Sequence, residues 1–387
     1  MKKILFISYG GGHCQMLLPV IQHIKKTHSH IECDVIGLTT AQNFYKQKGL
    51  SVYGYKNFFA DDKIVQYYGK QLLADNIQPL VSTEESICYL GASYRDLVDQ
   101  YGKSKAKDIY EKEGRMAFLP LYSMQKIIKT LTPDIIVTTN APRSELAAVL
   151  VGKSMNVPTL SVVDLFGIYE ADFIDADIIC VPFSYTKNIL ENRPNNKSRI
   201  VITGQPNFQV TQNTKIEQTP NSFLWCDQPA YYSLERKLIL RTPETIIQNL
   251  DEIYQACAYH NFTLTVRPHP SQNTSLFLEW AQKKGATVGV DNDIKELICR
   301  YQIISSISST VLVEAAIRGK FVIKYHTYDN YNDLPLEEEY GYMRTIRELQ
   351  NLPELLAKSP WKNMEPEKLI YIKDAAAKIV GEILKLG

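Results

Sequence analysis

Short apolar runs alternate with amphipathic stretches along most of the chain, and this alternation restricts the fold more than any other feature of the sequence. In the first half, strand-like runs fall at residues 3–8, 32–39, 134–139, 159–164, 177–182 and 199–204. In the second half, the same order of strand and helix repeats around residues 222–227, 262–268, 286–290, 301–306 and 320–325. This order is typical of parallel sheets covered by helices, so we predict an α/β fold.

The length of the chain and one polar segment divide this pattern in two. At 387 residues the chain is longer than one compact core usually covers. Residues 207–221 carry Asn, Gln and Thr where core residues would be expected, which indicates a surface crossing. We therefore predict domains over residues 1–206 and 207–387. The less regular region 55–115 is expected to be helical, and the amphipathic stretch 369–386 to form a last helix that packs back on the first domain.

The charge balance argues against nucleic acid as a partner. The chain has 43 basic and 42 acidic residues, so it offers no general attraction for polyanions. Its seven cysteines include no CxxC pair, and no apolar run has the roughly 18 residues that a spanning helix needs. The first apolar run is too short for a signal peptide, so we expect a cytoplasmic protein. Peripheral attachment to the inner membrane face leaves little trace in a sequence and stays open.

Three consecutive glycines and a histidine follow the first predicted strand, in the segment SYGGGH. Gly10, Gly11 and Gly12 would let backbone amides approach a ligand closely at the start of a helix, beside His13. The segment lacks the GxGxxG spacing of dinucleotide sites and the Gly-Lys-Ser/Thr ending of a Walker A loop. A tight turn with His13 as an ordinary helix-start residue is the simpler alternative.

The segment RPHP gives the second half a stiff, basic loop at the end of a strand. Two prolines fix the backbone on either side of His269, while Arg267 supplies a permanent charge. Strand alternation points Arg267 away from Val266, and this could turn it away from a ligand. We predict that His269, with Pro270 keeping the loop rigid, contacts a phosphate group.

Hydroxyl groups precede a later apolar helix of the same half. Ser308, Ser309 and Thr310 lie at its expected amino end, where hydroxyls and free amides bind anions, and Glu314 lies one turn further on. A serine cap followed by a surface glutamate would explain the same residues. Because parallel strands end at one edge of a sheet, we expect this segment and the RPHP loop to converge on one phosphate ester.

A metal site is not expected. The segment DND at residues 291–293 resembles a metal-binding DxD, but it directly precedes a helical pattern, so Asp293 is more simply a helix cap.

Taken together, GGGH, TGQPNF, RPHP and SSTVLVEA resemble the motifs of GT-B glycosyltransferases, over nearly the whole chain. GGGH with TGQP is similar to MurG-type and diacylglycerol-sugar synthases. His-Pro with Ser-Ser/Thr is similar to bacterial sialyltransferases and Kdo transferases, and RPHP to CDP-glycerol polymerases. The resemblance implies two Rossmann-like domains that face a central cleft lined by Gly10, Gly11 and Gly12.

The resemblance also assigns roles to residues. Arg267, His269, Pro270, Ser308, Ser309 and Thr310 would bind the donor phosphate, and Glu314 the ribose. Retaining members carry two glutamates eight residues apart on this helix, whereas Val322 follows Glu314 here, so inversion is favoured. Asp164, ahead of His13, would be the catalytic base, with Glu145 and Asp172 next in line.

The implied function is sugar transfer from a CMP- or UDP-sugar to a glycan or lipid-linked acceptor, in bacterial surface polysaccharide synthesis, without a cofactor or metal. One alternative is a UDP-sugar 2-epimerase or hydrolase, although SYGGGH replaces the usual GTRPE opening of that family. A CDP-glycerol-type polyol-phosphate transferase is another. Outside enzymes, a two-domain ligand-binding or scaffold protein stays open.

Overall fold

The computed structural model describes residues 2–76, 80–164, 175–208, 217–235, 237–289, 293–330, 343–358 and 372–386. The chain separates into two compact units. Unit 1 contains residues 1–209 and 372–387, and unit 2 contains residues 210–371.

Unit 1 is built on a parallel sheet with the strand order β2-β1-β3-β4-β5-β6. Its strands are β1 (Lys3–Ser8), β2 (Glu32–Gly37), β3 (Ile135–Thr138), β4 (Thr159–Val162), β5 (Ile178–Val181) and β6 (Arg199–Ile202). All six coincide with the apolar runs predicted in the first half. Along β1, Ile4 and Phe6 enter the core on one face of the sheet, and Leu5 and Ile7 enter the core on the other. Both faces are covered, which explains a continuous rather than alternating apolar run.

Nine helices of unit 1 precede the crossing into unit 2 in the described part of the chain. They are α1 (Gly12–Thr27), α2 (Ala41–Gln47), α3 (Lys56–Phe59), α4 (Lys63–Leu73), α5 (Thr83–Tyr101), α6 (Lys103–Glu113), α7 (Leu121–Leu131), α8 (Ser144–Ser154) and α9 (Ser184–Glu191). Helices α3 to α6 occupy the irregular tyrosine-rich region, which confirms that it is helical. A short 3₁₀ turn at Gly114–Ala117 follows α6.

Unit 2 has a second six-stranded parallel sheet, with the order β11-β10-β7-β12-β13-β14. Its strands are β7 (Ser222–Cys226), β10 (Thr263–Arg267), β11 (Thr287–Val288), β12 (Ile303–Ser306), β13 (Phe321–Tyr325) and β14 (Arg344–Ile346). Between β7 and β10 lies an antiparallel hairpin of β8 (Ala230–Tyr232) and β9 (Leu238–Leu240). The sequence analysis predicted neither the hairpin nor β14. These strands are three residues long, too short for a hydrophobic period to stand out.

The helices of unit 2 alternate with its strands. They are α10 (Pro243–Tyr259), α11 (Thr274–Lys284), α12 (Ile294–Arg300), α13 (Val311–Ile317) and α14 (Leu352–Ala357). The Asp293 carboxylate accepts a hydrogen bond from the backbone N–H of Lys295 at 2.8 Å and caps α12. This confirms the prediction that Asp293 is a helix cap.

The last helix, α15 (Ala375–Leu384), belongs to unit 1. Ala376, Ile379, Val380 and Ile383 are buried in the same apolar core as Leu17 and other residues of α1. An ion pair between Arg199 and Glu382 joins the helix to β6.

Candidate active site

The glycine turn between β1 and α1 lies at the carboxyl edge of the unit 1 sheet, and two of its three glycines are required by geometry. A side chain at Gly10 would place its Cβ 1.8 Å from Thr40 Oγ1. Glycine therefore lets the backbone at this position lie close to Thr40. Gly11 has φ +68° and ψ −132°, a conformation that only glycine adopts easily. A Cβ at Gly12 would meet no atom within 4 Å, so packing does not explain this glycine.

His13, the second residue of α1, begins a hydrogen-bonded relay into the interior. Its Nδ1 lies 2.7 Å from the Oγ1 of Thr139, which follows β3. The Thr139 hydroxyl donates to Glu145 Oε2 at 2.5 Å, and the Thr139 backbone N–H donates to the same oxygen at 2.7 Å. The backbone N–H of Tyr9 donates to Glu145 Oε1 at 2.9 Å. Both oxygens of this buried carboxylate therefore hold the loops after β1 and β3 in place.

The relay determines which nitrogen of neutral His13 carries the proton. A threonine hydroxyl has one hydrogen, and Thr139 donates it to Glu145. Toward His13, Thr139 must therefore accept, so Nδ1 of His13 is protonated and Nε2 has a free lone pair. A proton taken up at Nε2 would give an imidazolium that the relay connects to the Glu145 charge. This is the arrangement of a general base with an orienting acid.

Glu145 lies in the first turn of α8 and is 1% exposed. Burial raises the pKa of its carboxyl above the ordinary value, while the nearby His13 and the Thr139 and Tyr9 hydrogen bonds act in the opposite direction. The sequence analysis placed Glu145 only among the reserve candidates for a base. The structure gives it the position of the acid that orients His13.

His13 borders a cavity of about 500 Å³ in unit 1. The lining comes from the segments after β1, β2 and β3 and from the turn after α6, namely Tyr9, Gly10, His13, Thr39, Thr40, Arg115, Met116, Ala141, Pro142 and Arg143. Ligand cavities of α/β proteins occur at this carboxyl edge of the strands. Gly11 and Gly12 are not among the residues that line it.

Asp164 lies two residues after β4 and is partly buried. Its Oδ1 is 3.4 Å from Asn140 Nδ2, and its backbone N–H donates to Asn140 Oδ1 at 3.3 Å. It does not line the cavity that His13 borders. Asp172 lies outside the described residues.

In unit 2, the RPHP loop forms a turn beyond β10. The backbone N–H of Gln272 donates to the His269 carbonyl at 2.9 Å, which puts Pro270 at the second turn position that proline favours. The Ser271 backbone N–H donates to His269 Nδ1 at 3.2 Å, so the neutral ring carries its proton on Nε2 as a free donor. Burial lowers the pKa of His269, and Asp227 acts in the opposite direction. A neutral ring with a free Nε2–H can donate to a phosphate oxygen.

Asp227, directly after β7, holds the RPHP loop in place through hydrogen bonds. Its carboxylate accepts from Gln272 Nε2 at 2.6 Å, from Trp225 Nε1 at 2.8 Å and from Arg241 Nη1 at 2.8 Å. The Asp227 and Arg241 side chains are almost completely buried. Gln272 Oε1 in turn accepts from the His269 backbone N–H at 2.7 Å. The sequence analysis missed Asp227; its only signal was an acidic residue at the end of a buried strand.

The segment after β12 is tied to the same strand end. The backbone N–H of Ser308 donates to Gln228 Oε1 at 2.6 Å, and Ser309 Oγ accepts from the Val311 backbone N–H at 3.3 Å. The Ser308 amide and one Ser309 lone pair are therefore occupied by protein groups. Strands β10 and β12 flank β7, so normal strand spacing puts their ends about 10 Å apart. The His269 loop and the segment 308–310 thus lie at the same edge of one sheet.

Arg267 and Glu314 have partners within the protein. Arg267 Nη1 donates to the Gly289 carbonyl at 2.5 Å, toward β11. Glu314 lies on α13 with its Oε2 3.5 Å from Arg318 Nη1, and burial raises the pKa of its carboxyl. Thr310 directly precedes α13.

The described residues also bear on metal binding and on membranes. No group of three or more His, Cys, Asp or Glu side chains is arranged to hold a metal ion within these residues. Among the same residues, no helix is long and apolar enough to cross a membrane.

Neither a protein-family model nor a curated protein matches the chain. Solved structures do match it over its whole length. The UDP-GlcNAc 2-epimerase from Neisseria meningitidis is 14% identical, with a TM-score of 0.61 over 99% of this chain and 100% of that one. MnaA from S. aureus, solved with UDP, is 14% identical, with a TM-score of 0.61 over 100% and 98%. MurG from Acinetobacter baumannii is 11% identical, with a TM-score of 0.55 over 100% of both chains.

These similarities confirm the fold predicted from the sequence motifs. The chain has the GT-B fold, with two Rossmann-like domains.

Proposed function

We propose that the chain is a nucleotide-sugar enzyme in which unit 2 binds the nucleotide and His13 of unit 1 is the general base. The observation that carries the proposal is the relay from His13 through Thr139 to buried Glu145 at the wall of a cavity. In this tautomer the Nε2 lone pair of His13 is the group that would accept a proton from a substrate hydroxyl. This geometry favours His13 over Asp164, which reverses the order expected from the sequence.

Within this class we propose sugar transfer to an acceptor hydroxyl. His13 Nε2 takes the hydroxyl proton, the oxygen forms a bond to the anomeric carbon, and the bond from that carbon to the nucleotide phosphate breaks. The electron pair leaves with the phosphate, whose charge the His269 Nε2–H and the segment 308–310 would stabilise. The cavity in unit 1 supports this assignment because a transferase needs a site for a second substrate.

The second candidate is 2-epimerisation of a UDP-sugar, and the comparisons favour it. The 2-epimerases from Neisseria meningitidis and Methanocaldococcus jannaschii have higher TM-scores to this chain than MurG has. An epimerase also needs a base, which would remove the proton at C2 of the sugar. Several of these structures contain UDP or UDP-GlcNAc, so for both candidates we propose a uridine nucleotide ahead of a cytidine one.

One pair of measurements separates the candidates. A thermal-shift panel of UMP, UDP, CMP, CDP and GDP identifies the nucleotide, and selective binding of CDP would favour polyol-phosphate transfer. UDP-GlcNAc is then incubated with the enzyme in D₂O without an acceptor, with EDTA present because we propose a metal-independent reaction. Deuterium entering C2 would establish the epimerase. Release of UDP only when an acceptor is added would establish the transferase, and activity that requires Mg²⁺ would contradict metal independence.

The role of His13 is tested by His13→Ala, with Asp164→Asn as the competing base and His30→Ala as the control on an exposed histidine of the same unit. We expect His13→Ala to lower turnover about 10²- to 10⁴-fold, the usual contribution of a general base, and to leave nucleotide binding intact. Asp164→Asn is expected to retain most activity. Near-normal turnover of His13→Ala would reject the assignment, and nucleotide binding without any turnover in the parent chain would favour a binding protein.

A further inference from the structure

The unit 1 cavity is positively charged along its described lining. Arg115 and Arg143 line it together with His13, and none of the residues that line it carries a carboxylate. The nearby acid, Glu145, is buried with both oxygens engaged by Tyr9 and Thr139. Among the described residues, the lining of the cavity therefore has two arginines and no carboxylate.

Arg143 has no ionic partner among the described residues. It precedes α8 with φ +70°, an unusual conformation for a residue with a side chain. Its guanidinium lies over the Tyr9 ring, 4.8 Å from the ring centre. Its Nε is buried and has no hydrogen-bond partner in the described part of the chain. A buried donor without a partner requires an explanation, and a ligand in the cavity is one.

Other arginines of the described chain have partners of two kinds. Arg95, Arg199, Arg241, Arg300 and Arg318 each form an ion pair with a carboxylate, whereas Arg267 and Arg347 donate to backbone carbonyls. Arg115, in the 3₁₀ turn after α6, and Arg143 form no ion pair among the described residues. Two unpaired guanidinium groups on one cavity are the arrangement that recognises phosphate or carboxylate.

We propose that this cavity binds an anionic group of the second substrate, a phosphate or a carboxylate, through Arg115 and Arg143. The proposal rests on the transferase function proposed above. A volume of about 500 Å³ lies within the range of small-ligand sites. An acidic acceptor anchored by the arginines would bring a hydroxyl of the same molecule beside His13. The anion could come from a phosphate-linked lipid carrier or from an acidic sugar of a glycan, and the chemistry of recognition is shared.

The test measures binding of three sugars to the full-length chain without nucleotide. The probes are glucose 6-phosphate, glucuronate and glucose, followed by ligand-detected NMR titration. We expect the charged sugars to bind at least about tenfold more tightly than glucose, because charge-assisted hydrogen bonds to arginine are lost with the neutral sugar. Affinity should fall as salt is raised. Tighter binding of the phosphate would indicate a phosphorylated acceptor, and tighter binding of glucuronate an acidic glycan.

Four variants assign the binding to the two arginines. Arg115→Gln and Arg143→Gln are each expected to weaken the charged sugars about tenfold and to leave UDP affinity in unit 2 unchanged. Lys129→Gln removes one exposed charge from α7 of the same unit and should have no effect. Arg143→Lys keeps the charge without the planar fork and is used if Arg143→Gln does not fold.

Equal binding of all three sugars, or equal losses in Lys129→Gln and the arginine variants, would overturn the proposal. Because these titrations contain no nucleotide and measure no turnover, their failure is independent of the tests of nucleotide binding and of His13.

Discussion

At the scale of single residues, Glu145 shows how a buried acid can organise a site. Its carboxylate accepts from the backbone N–H groups of Tyr9 and Thr139 and from the Thr139 hydroxyl, so it connects two strand ends and orients His13. The same contacts make the side chain sensitive to changes that preserve its shape. An amide has one acceptor oxygen and one donor nitrogen, whereas this position needs acceptors on both sides.

We expect Glu145→Gln to destabilise the protein despite its nearly equal volume. The amide nitrogen would face a backbone N–H of Tyr9 or Thr139, and a buried donor left without an acceptor costs about 1–3 kcal/mol. Urea denaturation at fixed pH measures the free energy of unfolding. Glu113→Gln, at an exposed position near the end of α6, is the control. A variant as stable as the parent chain would contradict the hydrogen-bond assignment.

The loss of stability in Glu145→Gln is also expected to depend on pH. Burial raises the pKa of Glu145 in the folded state above its value in the unfolded chain, so the folded state binds this proton more tightly. The resulting contribution to stability is complete below the unfolded pKa and is lost as pH rises through the folded pKa. The stability difference between the parent chain and Glu145→Gln should therefore be largest at acid pH and narrow toward neutral pH. A stability difference that widens as pH rises would show that folding lowers the pKa of Glu145 instead of raising it.

The sequence could predict individual residues of the site better than their partners. Gly10, Gly11 and His13 are adjacent in the chain and could be assigned to one turn from a single motif. Thr139 and Arg143 reach the same turn only because β3 pairs with β1, and no local pattern specifies that pairing. Asp227 was missed for the same reason, since its partners Arg241 and Gln272 come from different loops.

At the scale of elements, the turn between β1 and α1 separates glycines that the fold requires from one that it does not. Gly11 has a positive φ, so Gly11→Ala should cost about 1–3 kcal/mol in the free energy of unfolding. Gly12 begins α1 with open space around its Cβ position, so Gly12→Ala should be neutral or stabilise the protein by up to about 1 kcal/mol. Thermal or urea denaturation of the two variants measures the difference. A strongly destabilised Gly12→Ala would show that this turn packs differently.

Activity of the stable variant then reports on the ligand. If a substrate approaches the first amide of α1, Gly12→Ala will lose substrate affinity without losing stability, because the new methyl group would occupy the path of approach. Retained affinity would instead show that Gly12 lies outside the binding path.

The predicted strands were confirmed where the apolar run was long. Each of the six runs predicted as strands in the first half became a strand, because parallel strands buried on both faces need continuous apolar sequence. The hairpin β8–β9 has exposed side chains such as Leu238 and Leu240, so its sequence does not show the apolar pattern of a buried strand. Neither its pairing nor its ends could be inferred from periodicity.

At the scale of the whole molecule, the fold could be predicted because several weak motifs agreed with the βα alternation over nearly the entire chain. The chemistry could not be decided in the same way. Related folds carry different reactions, and a transferase and an epimerase both need a base and a nucleotide site. Under the proposed function, the two reactions would differ in whether a second substrate enters the unit 1 cavity, whose lining comes from four separate segments.

The return of the chain from unit 2 to unit 1 makes the stability of unit 1 depend on the last residues of the sequence. Ile379 is fully buried in the core that includes Leu17 and Val20 of α1, whereas Lys378 on the same helix is exposed. Ile379→Ala should lower the free energy of unfolding of unit 1 by about 2–5 kcal/mol, through lost burial and the cavity left behind. Lys378→Ala should change it by less than about 0.5 kcal/mol.

Hydrogen exchange read out by mass spectrometry locates this effect. Because α15 lies in the unit 1 core, Ile379→Ala should accelerate exchange in β1, β3 and α1 while the strands β7, β10 and β12 of unit 2 keep their protection. The location matters more than the size of the change, since a loss of stability alone would follow from many core substitutions. Faster exchange confined to unit 2 would mean that the last helix stabilises the unit it follows in sequence rather than the one whose core it enters.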